Sequence, residues 1–409
     1  MTDAASRITA FLEAERERQT SFLAELVRTP SDNPSGDCTP HAEKAAALLE
    51  GLGFTVERHV VPADRVVAAG MASATNLVVR RTFGDGPVVA LNSHGDVVPP
   101  GEGWTQDPYG ATVVDGWMYG RGVAVSKSDF ATYAWALLAL EQAGVPLKGT
   151  VELHLTYDEE SGGAIGPGWL LERGISTPDL AIGAGFSYAV VTAHNGCLHL
   201  EVEVEGRSAH AAMPSTGVDA LEAATAILAR LYALRPELAK TVSSMPGIGS
   251  PQITVGLIKG GINTNVVPDR IAFRLDRRMI PEENPAEVER DLRALIESAG
   301  RSVEGAGVTV RRILLAEPLK PLPGAAALAE TLCRHAGAVM GEPVGAVGVP
   351  LYTDARHYAA AGVPIVLYGA GPRTIQEANA HRADERLPLD DLHKATRVIA
   401  LTLADLLRA

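Results

Sequence analysis

The stretch VVALNSHGD, residues 88–96, places a histidine and an aspartate directly after a short apolar run. Such a run is typical of a strand that is buried on both faces. A metal-bound imidazole usually donates its second N–H to a carboxylate or carbonyl, and Asp96 lies two residues beyond His94. The pattern predicts a buried strand followed by a candidate metal ligand. A hydrogen-bonded structural histidine is the alternative.

A second apolar strand, predicted at residues 149–156, is followed by YDEESGG at 157–163. One carboxylate of this turn can bind a cation while its neighbour acts as a general base on water. The alternative is a solvated acidic turn, although its glycines indicate backbone constraints that an ordinary surface turn does not need. Both groups follow strand ends, where open α/β sheets place their functional sites.

Apolar periodicity elsewhere predicts helices alternating with strands, which favours an α/β sheet covered by helices on both faces. Near residue 196 the pattern changes to the period-two run CLHLEVEVEG, which is typical of an antiparallel strand with one solvated face. Helices are predicted at 41–51, 129–143, 218–234, 285–299, 325–340 and from about 388, with another closing at 172–175. Further strands are predicted at 180–184 and 364–368 and in the period-two segment.

The chain has 409 residues, which favours two domains. We expect a catalytic domain formed by residues 1–195 and 315–409. An α+β domain, residues 196–314, is inserted into it.

The net charge of −13 disfavours nucleic acid and anionic membranes as partners. No window approaches the roughly 18 to 20 apolar residues of a membrane span. The N-terminal segment reads as an amphipathic helix rather than a signal peptide. Cys38, Cys197 and Cys333 are far apart and lack metal-type spacing, so we expect reduced thiols in a cytoplasmic protein.

Seven motifs occur in order along the chain: SHGDVVPPGEGW, TYDEE, EGRSAHAAMPSTGVDAL, NTNVVPD, LDRRMIPEE, YTDAR and NAHRADE. Together they resemble the M20 family of metallopeptidases and deacylases, which includes aminoacylases, acetylornithine deacetylase and succinyl-diaminopimelate desuccinylase. The resemblance implies an α/β, zinc-aminopeptidase-like catalytic domain interrupted by an α+β lid domain. It also implies a homodimer formed through that lid.

By this resemblance, His94 matches the first metal ligand and Asp96 the acid that orients it. Glu159 matches the general base. Glu160 and His381 match the terminal ligands of a second metal.

Three further residues match positions of the family's lid. His210 matches a histidine that reaches the partner subunit's site to stabilise the oxyanion, and a capping histidine is the alternative. Asn265 and Arg278 match residues that contact the substrate's carboxylate. A guanidinium suits that task because its planar fork binds a carboxylate bidentately, and an ordinary ion pair is the alternative.

The sequence departs from the family at two ligand positions. Val125 stands where the family has a carboxylate bridging both metals, and Gly185 stands where another acidic ligand is expected. Asp129 is predicted to belong to the next helix. Catalytic zinc usually has three protein ligands, so we expect at most one weakly held zinc-type ion. His194 and Tyr188 remain open as additional ligands.

Three functional hypotheses follow. The first is hydrolysis of an N-acyl or N-carbamoyl amino acid, or a similar small carboxylate amide, at an altered site. The second is a metal-independent lyase, isomerase or acyl-transfer enzyme on the same scaffold. The third is a ligand-binding homologue without turnover. The acyl group stays open in each of them.

Overall fold

The computed structural model describes residues 2–409. Its helices are α1 Thr2–Ala14, α2 Arg16–Val27, α3 Thr39–Glu50, α4 Ala63–Ala68, α5 Lys127–Glu141, α6 Pro167–Glu172, α7 Ala220–Leu238, α8 Pro285–Gly300, α9 Ala325–Met340, α10 Ala355–Ala360 and α11 Leu389–Leu406. Its strands are β1 Val56–Val60, β2 Thr75–Gly84, β3 Val88–His94, β4 Thr112–Val114, β5 Trp117–Tyr119, β6 Gly149–Thr156, β7 Leu180–Gly183, β8 Val190–His194, β9 Gly196–Glu205, β10 Gln252–Gly260, β11 Arg270–Met279, β12 Gly307–Ala316, β13 Ala346–Val349, β14 Ile365–Leu367 and β15 Arg386–Pro388.

The first compact unit comprises residues up to 192, 321–347 and 353–409. Its main sheet has the strand order β1-β2-β6-β3-β7-β14-β8-β13. The strands from β6 to β14 run parallel, whereas β1 and β2 extend the sheet antiparallel to their neighbours. Helix α5 packs against α2, α11 and strand β3, which explains why it is apolar around its whole circumference. The α/β fold class predicted from the sequence is confirmed.

The second unit comprises residues 193–320 and 348–352. Its antiparallel sheet has the order β10-β11-β9-β12 and packs against α7 and α8 around a core of its own. Alternate residues of β9 are buried, in agreement with the period-two pattern. The unit ends at residue 320 rather than 314, because β12 continues through 314 to Ala316 as part of this sheet.

Several elements differ slightly from the sequence expectation. Strand β3 extends to His94, so this histidine is the last strand residue rather than a loop residue. Helix α5 begins at Lys127 and contains Asp129 in its first turn. The predicted N-terminal helix is two helices that meet at Glu15. Across residues 2–409, no helix has the length and apolar character needed to cross a membrane.

Candidate active site

The parallel pairing of β3 with β6 brings the two chemistry-bearing segments to one edge of the sheet. His94 ends β3 opposite Thr156, the last residue of β6, and the acidic turn follows Thr156 directly. The N–H of Gly95 donates to the carbonyl of Thr156 at 2.9 Å, which joins the two strand ends. The carboxyl ends of neighbouring parallel strands thus place an imidazole beside a carboxylate pair.

Asp96 is the buried carboxylate that organises this edge. It accepts the backbone N–H groups of Glu159 and Glu160 at 3.2 and 3.1 Å and the side-chain amide of Asn33 at 3.0 Å. Nδ1 of His94 lies 2.9 Å from the carbonyl oxygen of Asp96 and 3.4 Å from its carboxylate. One aspartate therefore fixes both the ring of His94 and the backbone of the acidic turn, which leaves Nε2 free to face the site.

The side chains of His94, Glu159 and Glu160 converge. Their candidate ligand atoms lie within 4.8 Å of one another, and Nε2 of His94 is 4.0 Å from an oxygen of Glu159. Burial raises the pKa of Glu159 to about 7, with the charge of Glu160 adding to the rise and His94 opposing it. This carboxyl group can gain or lose a proton near neutral pH.

His381 reaches the group through Glu160. Its Nε2 lies 3.2 Å from Oε1 of Glu160, and about half of the histidine side chain is exposed. The backbone of His381 is left-handed, with φ 62°, an uncommon conformation for a residue other than glycine. Such conformations are often found where a loop must aim a functional side chain.

Val125 directly precedes Ser126, whose side chain is hydrogen-bonded to the backbone of His94. The hydroxyl of Ser126 accepts from the N–H of His94 and donates to its carbonyl, both at 3.1 Å. The backbone N–H of Val125 donates to Glu385 at 3.2 Å, and its side chain packs against the core. The loop therefore holds a hydrocarbon side chain at position 125, one residue before the serine that contacts the backbone of His94.

Position 185 has no room for a side chain on the present backbone. A Cβ on Gly185 would lie 2.9 Å from the backbone nitrogen of Tyr368. The carboxyl group of Asp129 lies beside it and accepts from the N–H groups of Gly185 at 3.3 Å and Ala370 at 2.8 Å. Burial raises the pKa of Asp129 to about 8, against the effect of these two N–H groups. Asp129 is thus a buried group tied to backbone rather than a replacement ligand.

These residues do not fit a two-metal cluster, because neither 125 nor 185 supplies a carboxylate. They do fit one divalent cation. Oε1 of Glu160 is buried and accepts no hydrogen bond from residues 2–409, although His381 Nε2 is 3.2 Å away. Nitrogen and oxygen ligands on a tetrahedral zinc lie roughly 3.3 Å apart. Glu160 and His381 would therefore supply two ligands to such an ion.

The sequence left Tyr188 and His194 open as additional ligands. Tyr188 donates its hydroxyl to Asp391 at 2.9 Å. His194 belongs to the second unit, where its Nδ1 lies 2.9 Å from the carbonyl of Asn195. Neither contact involves the acidic turn.

Two buried acids, Asp158 and Asp354, were given no role by the sequence analysis. Burial and the nearby Asp96 raise the pKa of Asp158 to about 8. Burial also raises the pKa of Asp354, with the charge of Glu159 adding to the effect. A Cβ on Gly163 would lie 2.1 Å from Asp354, and its φ is +70°, which accounts for a glycine in the acidic turn. The YTDAR motif was the available signal for Asp354.

The remaining predicted residues lie in the second unit. His210 and Asn265 are both exposed, and Nδ1 of His210 accepts from the N–H of Ala212 at 3.1 Å. Asn265 lies close to His210, because its carbonyl accepts from the N–H of Ala211 at 3.0 Å. Arg278 is half-buried on β11 and donates to Asp276 through Nε at 3.0 Å. Their roles toward substrate stay predictions.

Comparison with known proteins agrees with this architecture. The model of peptidase family M20/M25/M40 matches residues 90–405. An acetylornithine deacetylase of Myxococcus xanthus is 31% identical over 391 residues, covering 93% of this chain and 96% of the relative. A succinyl-diaminopimelate desuccinylase of Gluconacetobacter diazotrophicus is 29% identical over 399 residues, covering 95% and 96%.

Solved structures share the fold. An aminopeptidase of Bacillus cereus superimposes with a TM-score of 0.74 at 22% identity, covering 96% of this chain and 98% of that chain. An M20 family metallo-carboxypeptidase of Sulfolobus solfataricus gives a TM-score of 0.75 at 18% identity, covering 94% and 98%. Sequence and fold lead to the same assignment: this chain belongs to peptidase family M20/M25/M40, a family of amide-bond hydrolases.

Proposed function

We propose that this protein hydrolyses the amide bond of an N-acyl or N-carbamoyl amino acid, or of a similar small carboxylate amide. The relatives with the most informative names are a deacetylase and a desuccinylase, both of which remove an acyl group. Glu159 is the proposed general base. Arg278 and Asn265 are proposed to hold the substrate's carboxylate, and His210 to stabilise the oxyanion.

The observation that carries the proposal is the placement of Glu159. Its backbone is held by Asp96, and its carboxylate lies beside His94 Nε2 and Glu160 at the end of the parallel strands. From this position the carboxylate can take a proton from an attacking water and deliver it to the leaving nitrogen. One divalent cation held by Glu160 and His381 would polarise the carbonyl and acidify that water.

The test is hydrolysis of N-acetyl, N-succinyl and N-carbamoyl amino acids by the purified protein. In Glu159→Gln we expect kcat to fall by roughly 10² to 10⁴-fold, since proton transfer is lost while the shape is kept. Glu102→Gln, an exposed carboxylate of the same unit, is the matched control and should leave kcat unchanged. Full activity in Glu159→Gln, or no hydrolysis of any of these amides, would reject the proposal.

Treatment with a chelator separates two forms of the proposal. Activity that disappears with the chelator and returns with Zn²⁺ supports the one-ion form. Activity that survives chelation supports a site in which the carboxylates and His94 act without a cation.

We also propose a homodimer formed through the second unit. Strand β10 is an edge of its four-stranded sheet and carries exposed Leu257 and Ile258, with 61% and 55% of their surfaces accessible. An exposed apolar edge strand is a surface that another chain can cover.

A further inference from the structure

A second cluster of candidate metal ligands lies on the sheet of the second unit. Cys197 and His199 are two residues apart on β9 and therefore share one face of the sheet. On the neighbouring strand β11, Asp276 pairs with His199 and Arg278 pairs with Cys197. From sequence, Cys197 was expected to be a reduced thiol, because the cysteines are far apart and lack metal-type spacing. The strand pairing supplies partners of a different type.

The three ligand atoms converge on one point. Nε2 of His199 lies 3.2 Å from Sγ of Cys197 and 3.1 Å from Oδ2 of Asp276, and Sγ is 3.9 Å from Oδ1 of Asp276. With metal–ligand bonds of about 2.0 to 2.3 Å, tetrahedral zinc requires separations of roughly 3.3 to 3.6 Å between such atoms. The observed separations bracket these values, so small side-chain movements would complete the geometry.

Hydrogen bonds account for only part of this convergence, since the S–H of Cys197 and the Nε2–H of His199 can each donate to one oxygen of Asp276. A ring nitrogen carries either one hydrogen or one lone pair, yet Nε2 of His199 faces both the sulfur and the carboxylate. A catalytic triad would use both ring nitrogens of the histidine, so the arrangement is not that of an activated nucleophile. A cation placed between the three atoms would satisfy all of them at once.

The donor set and its exposure point to a zinc-type ion. A thiolate and an imidazole select zinc over magnesium or calcium, which prefer oxygen ligands. Cys197 is buried, whereas the side chains of His199 and Asp276 are 35% and 31% exposed, so an ion can enter from solvent and keep a water ligand. Arg278 donates to both oxygens of Asp276 and so orients that carboxylate from its far side.

We propose that Cys197, His199 and Asp276 form a divalent-cation site of zinc type in the second unit. The site shares no ligand with the group around His94 and Glu160, and it does not depend on the proposed hydrolysis. The formal charges of a thiolate and a carboxylate balance those of the ion.

Cobalt(II) is the probe, because thiolate ligation to this ion gives a near-ultraviolet charge-transfer absorption. We expect chelator-stripped protein to develop this absorption as Co²⁺ is added, and Zn²⁺ to abolish it. Cys197→Ser should remove the absorption. Cys333→Ser, which changes a partly buried cysteine of the first unit, should retain it, and so should His94→Ala.

Absence of the absorption in the wild-type protein, or its persistence in Cys197→Ser, would overturn the assignment. Asp276→Asn provides a second arm if Cys197→Ser does not fold. It keeps the side-chain shape, and we expect it to weaken Co²⁺ binding by on the order of tenfold or more. Unchanged affinity in a folded Asp276→Asn variant would also overturn the assignment.

Discussion

Lys127 is an amine without solvent contact in the first turn of α5. Its Nζ donates to the carbonyls of Thr29 at 2.9 Å and Leu26 at 3.3 Å, and burial lowers its pKa to about 7. Its two hydrogen bonds join the start of α5 to the end of α2.

The lowered pKa of Lys127 predicts that the free energy of unfolding depends on pH. Between pH 7 and 10.5 the unfolded chain holds a proton on Lys127 that the folded chain has released. The free energy of unfolding should therefore rise with pH in this window, by up to about 1.4 kcal/mol per unit from this group. Urea unfolding of Lys127→Met should lack this rise, whereas the exposed control Lys148→Met should retain it. Parallel pH profiles for Lys127→Met and wild type would contradict the lowered pKa.

At the scale of elements, the first turn of α5 packs closely against the loop that follows β14. A Cβ on Gly369 would lie 2.1 Å from Oδ1 of Asp129, and backbone N–H groups hold that carboxyl in place. We expect Gly369→Ala to reduce the free energy of unfolding by about 1 to 3 kcal/mol, measured by urea denaturation. Gly345→Ala, where the added carbon meets open space, is the control. Equal stability of both variants would show that Asp129 can move aside.

A substitution in the loop between β5 and α5 is expected to increase the affinity for a metal ion. Val125→Asp places a carboxylate beside His94, and we expect Zn²⁺ affinity to increase by about tenfold or more. Calorimetric titration should use a Cys197→Ser background so that only the first unit is measured. Val113→Asp, at an exposed valine, is the control. Unchanged affinity would show that position 125 is not aligned with the family's bridging ligand.

Gly185→Glu would return an acidic residue to the second position where the family has a ligand, but we do not expect it to restore metal binding. Its Cβ would press on the backbone of Tyr368, and Asp129 already lies beside the position. We expect Gly185→Glu to lower the melting temperature rather than to add a ligand. A variant with wild-type melting temperature and higher Zn²⁺ affinity would contradict this.

At the scale of the whole molecule, the proposed homodimer is expected to form through the β10 edge of the second unit's sheet. Introducing lysine at both Leu257 and Ile258 should convert the proposed dimer to a monomer, because charged edge strands resist pairing. Light scattering coupled to size exclusion measures the mass. Val60→Lys, at a valine of the first unit with 69% of its surface exposed, should leave the mass unchanged. A wild-type monomer, or a dimer that survives the double substitution, would reject this interface.

Much of the architecture follows from local sequence. Periodicity located β6 and α9 at their observed bounds, and the apolar run before His94 located β3. The ordered motifs were sufficient for the family, since each consists of chemically specific residues in a fixed order. Hydrophobic period and motif order are properties of neighbouring residues, so they can be read without knowing which strands pair.

Contacts between distant residues were decided only by the tertiary structure. Asp129 was placed in a helix by its sequence, but only packing shows its carboxyl beside Gly185, 56 residues away. Likewise, Cys197 has no metal-type spacing, yet the pairing of β9 with β11 brings Asp276 to His199 across 77 residues. The physical reason is that strand register and core packing fix which side chains meet, and neither is encoded in the spacing of any single motif.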